Sequence, residues 1–98
     1  MTIQKQQNGG VLTLTLEGRL DTLTSPELEA ELKASLGDAD SLILDFAKLA
    51  YISSAGLRTL LSAHKAMSVK GGMRVKNVNE VVREVFDVTG FADILTIE

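Results

Sequence analysis

Near the middle of the chain, Ser41-Leu-Ile-Leu-Asp-Phe46 is a continuous apolar run flanked by polar residues. Such runs suit a central strand covered on at least one face. The segments on either side carry helical spacing. A helix before the strand makes it the far end of a crossover, and a helix after it begins another. Tyr51-Ile-Ser-Ser-Ala-Gly-Leu57 follows a short spacer and reads as the start of that second helix. A helix start exposes backbone N–H groups and the positive end of the macrodipole, so it accommodates negative charge.

The rest of the chain arranges itself around this unit. Ile3 to Gln6 reads as an edge strand, Asn8-Gly9-Gly10 as a turn, and Val11 to Glu17 as a strand alternating cleanly. Leu12, Leu14 and Leu16 point inward, and Gly18-Arg-Leu-Asp21 leaves the strand. The first helix begins at Thr24, whose spacing to Glu27 fits a capping box, or at Ser25, which fits N-cap before Pro26. Leu28, Leu32 and Leu36 form its stripe, and Gly37 takes the C′ position. The second helix spans Ser54 to Met67 or Ser68. Leu57, Leu60, Leu61, His64 and Met67 lie on its inner side, with Arg58, Thr59, Ser62 and Lys65 outward. After Gly71-Gly72 comes a strand over Met73 to Val78. A third helix starts near Asn77 or Asn79 and turns Val81, Val82, Val85, Phe86 and Val88 toward the core. Thr89-Gly90 closes it, and Ile94 to Ile97 forms a strand or an extended tail. The spacing predicts a single α/β domain over residues 1–98. Its order is β-β-α-β-α-β-α-β, a mixed sheet of four to five strands packed with three or more helices.

Composition excludes several classes of function. Ten basic against 13 acidic residues give a net charge of −3, the wrong sign for a nucleic-acid face. The chain has no Cys, so disulfides and thiolate metal sites are absent. Met1-Thr-Ile-Gln-Lys-Gln-Gln lacks the apolar core of a signal peptide, and no run has the length of a membrane span, so a cytoplasmic domain is expected. The one His, His64, has no second His or Cys for a nucleophile–base pair or a metal site. The aspartates show no pairing on one face, and the glycine doublets lack phosphate-loop spacing. No catalytic residue, metal or cofactor is predicted. The two serines at the second helix start remain. One of them caps the helix, worth ~1 kcal/mol, or phosphate arrives there. Gly56, so early in a helix, signals close approach by backbone or a partner.

Three segments carry a family resemblance. Asp45-Phe46, the spacer, and Tyr51-Ile-Ser-Ser-Ala-Gly-Leu57 resemble the central motif of the STAS domain, the fold of bacterial anti-sigma factor antagonists. Gly18-Arg-Leu-Asp21 and Val82-Arg-Glu-Val-Phe-Asp-Val-Thr-Gly-Phe91 resemble its flanking segments, so the similarity runs nearly end to end. In such proteins an Asp at the helix start precedes a Ser or Thr that a partner kinase phosphorylates. The resemblance therefore implies that Ser54 is the phosphorylated residue, with Ser53 in the acid's place and as the second acceptor. It implies a protein partner, an anti-sigma factor that is also a serine kinase, and a monomer or weak dimer. Around Ser53, Ser54 and Gly56, the partner-binding surface takes in Arg58, Thr59 and Ser62. From the neighbouring loop it takes in Asp21, Thr22 and Thr24. Arg58 also stands in i,i+4 reach of a phosphate on Ser54. Two other readings fit the same helix start: a STAS subunit of a transporter or signalling complex without phosphorylation, and a small-molecule or nucleotide-binding domain.

Overall fold

In the computed structural model, which describes residues 1–98, the apolar run lies in the middle strand of a five-stranded sheet. The strands are β1 (Thr2–Asn8), β2 (Val11–Leu20), β3 (Ser41–Ile52), β4 (Met73–Lys76) and β5 (Thr96–Ile97). They stand side by side in chain order. β1 pairs antiparallel with β2 through the turn at Gly9, and every later pairing is parallel. The parallel pairings require crossovers. These are supplied by α1 (Ser25–Ser35), α2 (Ser54–Met67) and α3 (Glu80–Thr89), with short 3₁₀ turns at Leu36–Asp38 and Phe91–Asp93. The mixed α/β order expected from the sequence is the order found, and the C-terminal segment is a strand.

Register explains which side chains make the core. Leu12, Leu42 and Met73 form one cross-sheet row, and Leu14, Leu44 and Val75 the next. All six are buried. The residues between them, such as Thr13, Ile43 and Asp45, point to the other face and stay partly exposed. The helices thus cover one face of the sheet. Phe46 extends the core toward α3, where its ring centroid lies 6.4 Å from that of Phe86.

β2 and β3 both run further than their apolar alternation indicates. Gly18 to Leu20 continue β2, and the stretch between Phe46 and Tyr51, read as a spacer, continues β3. Between Thr15 and Arg19 the β2–β3 register slips twice, and Gly18 sits at φ +110°. Such bulges break the period of two, hiding a strand from a pattern reading. Ala47 and Lys48 are exposed, and burial resumes at Leu49. Asp45 holds the irregularity: its Oδ1 accepts from the Ala47 N–H (3.0 Å) and from Asn77 Nδ2 (2.9 Å). Partial burial, the largest influence, disfavours its charge. The Asn77 and Ala47 hydrogen bonds, with Lys76 and Lys48, outweigh burial and hold the pKa below the ordinary carboxylate value.

Other differences have local causes. Asn77 adopts φ +60°, which ends β4 at Lys76 and removes Asn77 as a helix cap. Asn79 caps α3 instead, accepting from the Val82 N–H at 2.8 Å. The buried stripe of this ten-residue helix is narrow. Val82 and Phe86 are enclosed, whereas Val81 and Val88, expected inside, are 55% and 76% exposed. Gly37 does not take a left-handed conformation, because α1 tightens into a 3₁₀ turn at its end. Thr24 precedes α1, but its hydroxyl does not bond a helix N–H. In α2, Thr59 was expected outward and is buried at 8% exposure. α2 packs on α1 as well as on the sheet, which widens the enclosed arc beyond a single apolar stripe. No helix is long and apolar enough to cross a membrane.

Candidate functional site at the start of the second helix

β2 and β3 end together at one edge of the sheet, and their continuations form the site. The Ser53 N–H donates to the Leu20 carbonyl (2.9 Å), tying the entry of α2 to the end of β2. Ser53 has extended backbone angles and acts as the N-cap: its Oγ accepts from the Gly56 N–H at 3.4 Å, a long bond. Its carbonyl accepts the first helical bond, from the Leu57 N–H at 2.9 Å. Ser54 is the first residue of the helix and is exposed. No acidic residue stands in the first turn, so no carboxylate of the helix itself offsets its positive end. Gly56 faces inward, where a Cβ would lie 2.8 Å from Ile52 Cγ1 and 2.9 Å from Leu20 Cγ. The close approach signalled by this glycine is intramolecular, and Gly56 presents no side to a partner.

The loop from β2 to α1 forms the neighbouring wall. Asp21 Oδ1 accepts from the N–H groups of Leu23 (3.0 Å) and Thr24 (3.1 Å). Thr24 Oγ1 accepts from the Asp21 N–H (2.9 Å) and donates to the Arg19 carbonyl (2.7 Å). Asp21 and Thr24 therefore shape the loop. The Asp21 carboxyl is held below the ordinary carboxylate range, chiefly by the Thr24 N–H. Some desolvation opposes this, and the Leu23 N–H, the Thr24 hydroxyl and Arg19 add to it. Arg19 lies 3.8 Å from Asp21 Oδ2 and 4.5 Å over the centroid of the Tyr51 ring, bracing the two strand ends.

Of the residues singled out from the sequence, Ser54, Arg58 and Ser62 on α2 and Thr22 on the loop are exposed, and Ser53 is half-buried. Thr59 turns toward α1, and its hydroxyl donates to the Ala55 carbonyl at 3.2 Å. Leu23, 86% exposed at the tip of the loop, was not anticipated. Its signal was present, an apolar residue among Asp21, Thr22 and Thr24 where a turn is otherwise polar. His64 is half-buried in α2, and no three His, Asp or Glu side chains converge anywhere in the chain.

The chain is thus an α/β domain with its sheet covered on one face and with a helix start and a braced loop meeting at the carboxyl edge. The STAS domain family model matches residues 2–98, and the chain belongs to that family. BtrV of Bordetella bronchiseptica, carried as a candidate anti-sigma factor antagonist, is 35% identical over 99 residues, spanning 99% of this chain and 85% of BtrV. An anti-sigma factor antagonist from Mycobacterium paratuberculosis superposes with a TM-score of 0.89 at 23% identity, over 98% of this chain and 83% of that one. The phosphorylated form of the Bacillus cell fate determinant SpoIIAA gives 0.76 at 19% identity, over 99% and 91%. Relatives and neighbours of this chain thus carry the description of anti-sigma factor antagonists, while the low identities of the two structures speak to the fold alone.

Proposed function

We propose that this chain is an anti-sigma factor antagonist whose binding surface is switched by phosphorylation of Ser54. The observation that carries the reading is the division of labour between the two serines. Ser53 is engaged as the cap, whereas Ser54 is exposed beside it and its hydroxyl makes no hydrogen bond within the fold. In the unphosphorylated state, Thr22, Leu23, Ser54, Arg58 and Ser62 dock onto an anti-sigma factor in the cytoplasm and free the sigma factor it holds. The same partner, acting as a serine kinase, phosphorylates Ser54. Phosphoserine brings about −1.5 to −2 charges. At the start of α2, whose first turn carries no acid, that charge leaves the domain folded. In an interface shaped for a small hydroxyl, it must be desolvated without a partner. A loss of ~3 kcal/mol weakens binding more than 100-fold. The chain acts as a regulatory binding module in this scheme, and the kinase performs the chemistry.

Incubation with the cognate kinase and ATP, followed by peptide mass spectrometry, tests the assignment. One phosphate on Ser54 is expected, and phosphate confined to Ser53 refutes it. Ser54→Asp is expected to lose affinity for the anti-sigma factor by calorimetry while keeping its Tm. Equal affinity in the two forms refutes the switch.

A further inference from the structure

β1 is the long open edge of the sheet. It pairs only with β2, whereas β5 at the opposite edge is two residues long. Six of the seven residues of β1 are exposed, so no helix or loop covers it. Free edges are ordinarily kept short, bulged, interrupted by Pro or loaded with charge, because their unpaired N–H and C=O groups accept another strand. β1 has an unbroken register from Thr2 to Asn8, no Pro and a single charge, Lys5.

The hairpin turn fixes which backbone groups are free. Asn8 and Val11 face each other across the two-residue turn at Gly9 and Gly10, which makes them a hydrogen-bonded pair. Bonded and non-bonded pairs alternate along an antiparallel ladder. Thr2, Gln4 and Gln6 therefore bond to β2, while Ile3, Lys5 and Gln7 turn their N–H and C=O groups to the open edge. An antiparallel strand is its own complement under a two-fold axis, and three positions for that axis match open groups to open groups. At Lys5 the axis sets two lysines directly opposite each other, which is unfavourable. At Gln6 it runs Ile3 into the turn at Gly9 and shortens the pairing. At Gln4 it places Lys5 opposite the uncharged Ile3, and Thr2 opposite Gln6. From this complementarity we infer that two copies of the chain associate through β1, antiparallel about a two-fold axis at Gln4, into one continuous ten-stranded sheet. The axis is perpendicular to the sheet, so both helical layers lie on the same face and the two starts of α2 point in opposite directions. Each Ser54 surface stays open, and the association does not depend on whether Ser54 is phosphorylated.

Sedimentation of the whole unmodified chain across a range of concentrations, with amide hydrogen exchange on the same samples, tests this without any other protein. A reversible monomer–dimer equilibrium is expected. Exchange at Ile3 and Lys5 is expected to slow as concentration rises, while exchange at Gln4 and Gln6 stays as it was. A chain that remains monomeric at its highest soluble concentration overturns the inference, as does a dimer that leaves Ile3 and Lys5 unprotected. The chain has no Cys, so a single introduced thiol reports the axis. The Cα atoms of a non-bonded pair lie about 4.5 Å apart, within reach of a disulfide. Gln4→Cys is expected to oxidise to a covalent dimer. Two Gln6→Cys thiols stand about 13 Å apart along the strands and are expected to remain free. Cross-linking of Gln6→Cys in place of Gln4→Cys overturns the axis. Gln4→Lys sets like charges opposite each other and is expected to weaken the dimer severalfold. Lys5→Pro removes an open-edge N–H from each copy and is expected to weaken it about thirtyfold. Gln4→Lys alters no bond to β2 and is expected to keep the parent Tm, so it decides the matter even where Pro disturbs the strand. A dimer of unchanged affinity in Gln4→Lys overturns the inference, and no such result bears on phosphorylation of Ser54.

Discussion

Gly56 is pressed against Leu20 so closely that a Cβ would stand 2.9 Å from the Leu20 Cγ and 3.1 Å from its carbonyl oxygen. The same carbonyl accepts the Ser53 N–H. The end of β2 therefore sets the height and angle at which α2 begins, and with it the position of Ser54.

Gly56→Ala tests that contact. In an open helix, replacing Gly by Ala gains ~1 kcal/mol. Here the methyl group meets the branch points of Leu20 and Ile52, which have little room to move. A net loss of about 1–3 kcal/mol is expected from overpacking, read as a lower urea midpoint with an unchanged slope. A stabilised Gly56→Ala chain would show that the packing gives way at no cost.

Ser53→Ala separates the roles of the two serines. Removing an N-cap oxygen costs about 0.5–2 kcal/mol, and the 3.4 Å bond places Ser53 at the lower end. Ser54→Ala removes no bond within the fold and is expected to leave the urea midpoint where it was. Kinase treatment of Ser53→Ala is expected to leave the phosphate on Ser54.

Asn79 joins two elements with one side chain. Its Oδ1 accepts from the Val82 N–H, and its Nδ2 donates to the Leu49 carbonyl at 2.8 Å. Asn79→Ala should cost about 1–2 kcal/mol, at the upper end for a cap because the bond to β3 goes with it. Asn79→Asp retains the cap but lacks the donor, so it should recover only part of the loss. Full recovery by Asp in the same unfolding measurement would make the bond to Leu49 irrelevant.

Asp21 gives stability a pH dependence of known sign. Its pKa is lower folded than unfolded, so the ionised carboxylate stabilises the fold above the ordinary value near 3.8. That contribution disappears as pH falls through the lowered folded value. Asp21→Ala is expected to melt below the parent at pH 7, with the gap narrowing on acidification past 3.8. Asp45, also lowered, is common to both chains and cancels in the difference. A gap that stays constant to acid pH would mean that Asp21 acts through its shape alone.

Pattern and packing contributed different parts of this picture. Alternation in Val11 to Leu16, the apolar run at Ser41 to Phe46 and the helical stripes placed the elements in order, with only the C-terminal segment left between a strand and a tail. These signals are local, because period and capping act within a few residues. The two serines at the start of α2 were equally legible, being hydroxyls beside a helix with no competing chemistry. Which serine is bonded and which is free depends on the seating of α2 against Leu20, a contact between residues far apart in the chain. Long-range packing also turned Thr59 toward α1 and left Val81 and Val88 outside, since a helix's buried arc is set by how many neighbours it has. The extension of β3 past Phe46 required the bulged pairing with β2. The sequence by itself determined the elements, their order and the helix start that matters. The tertiary structure alone decided that Gly56 serves the fold, that Ser53 caps, and that Ser54 faces solvent.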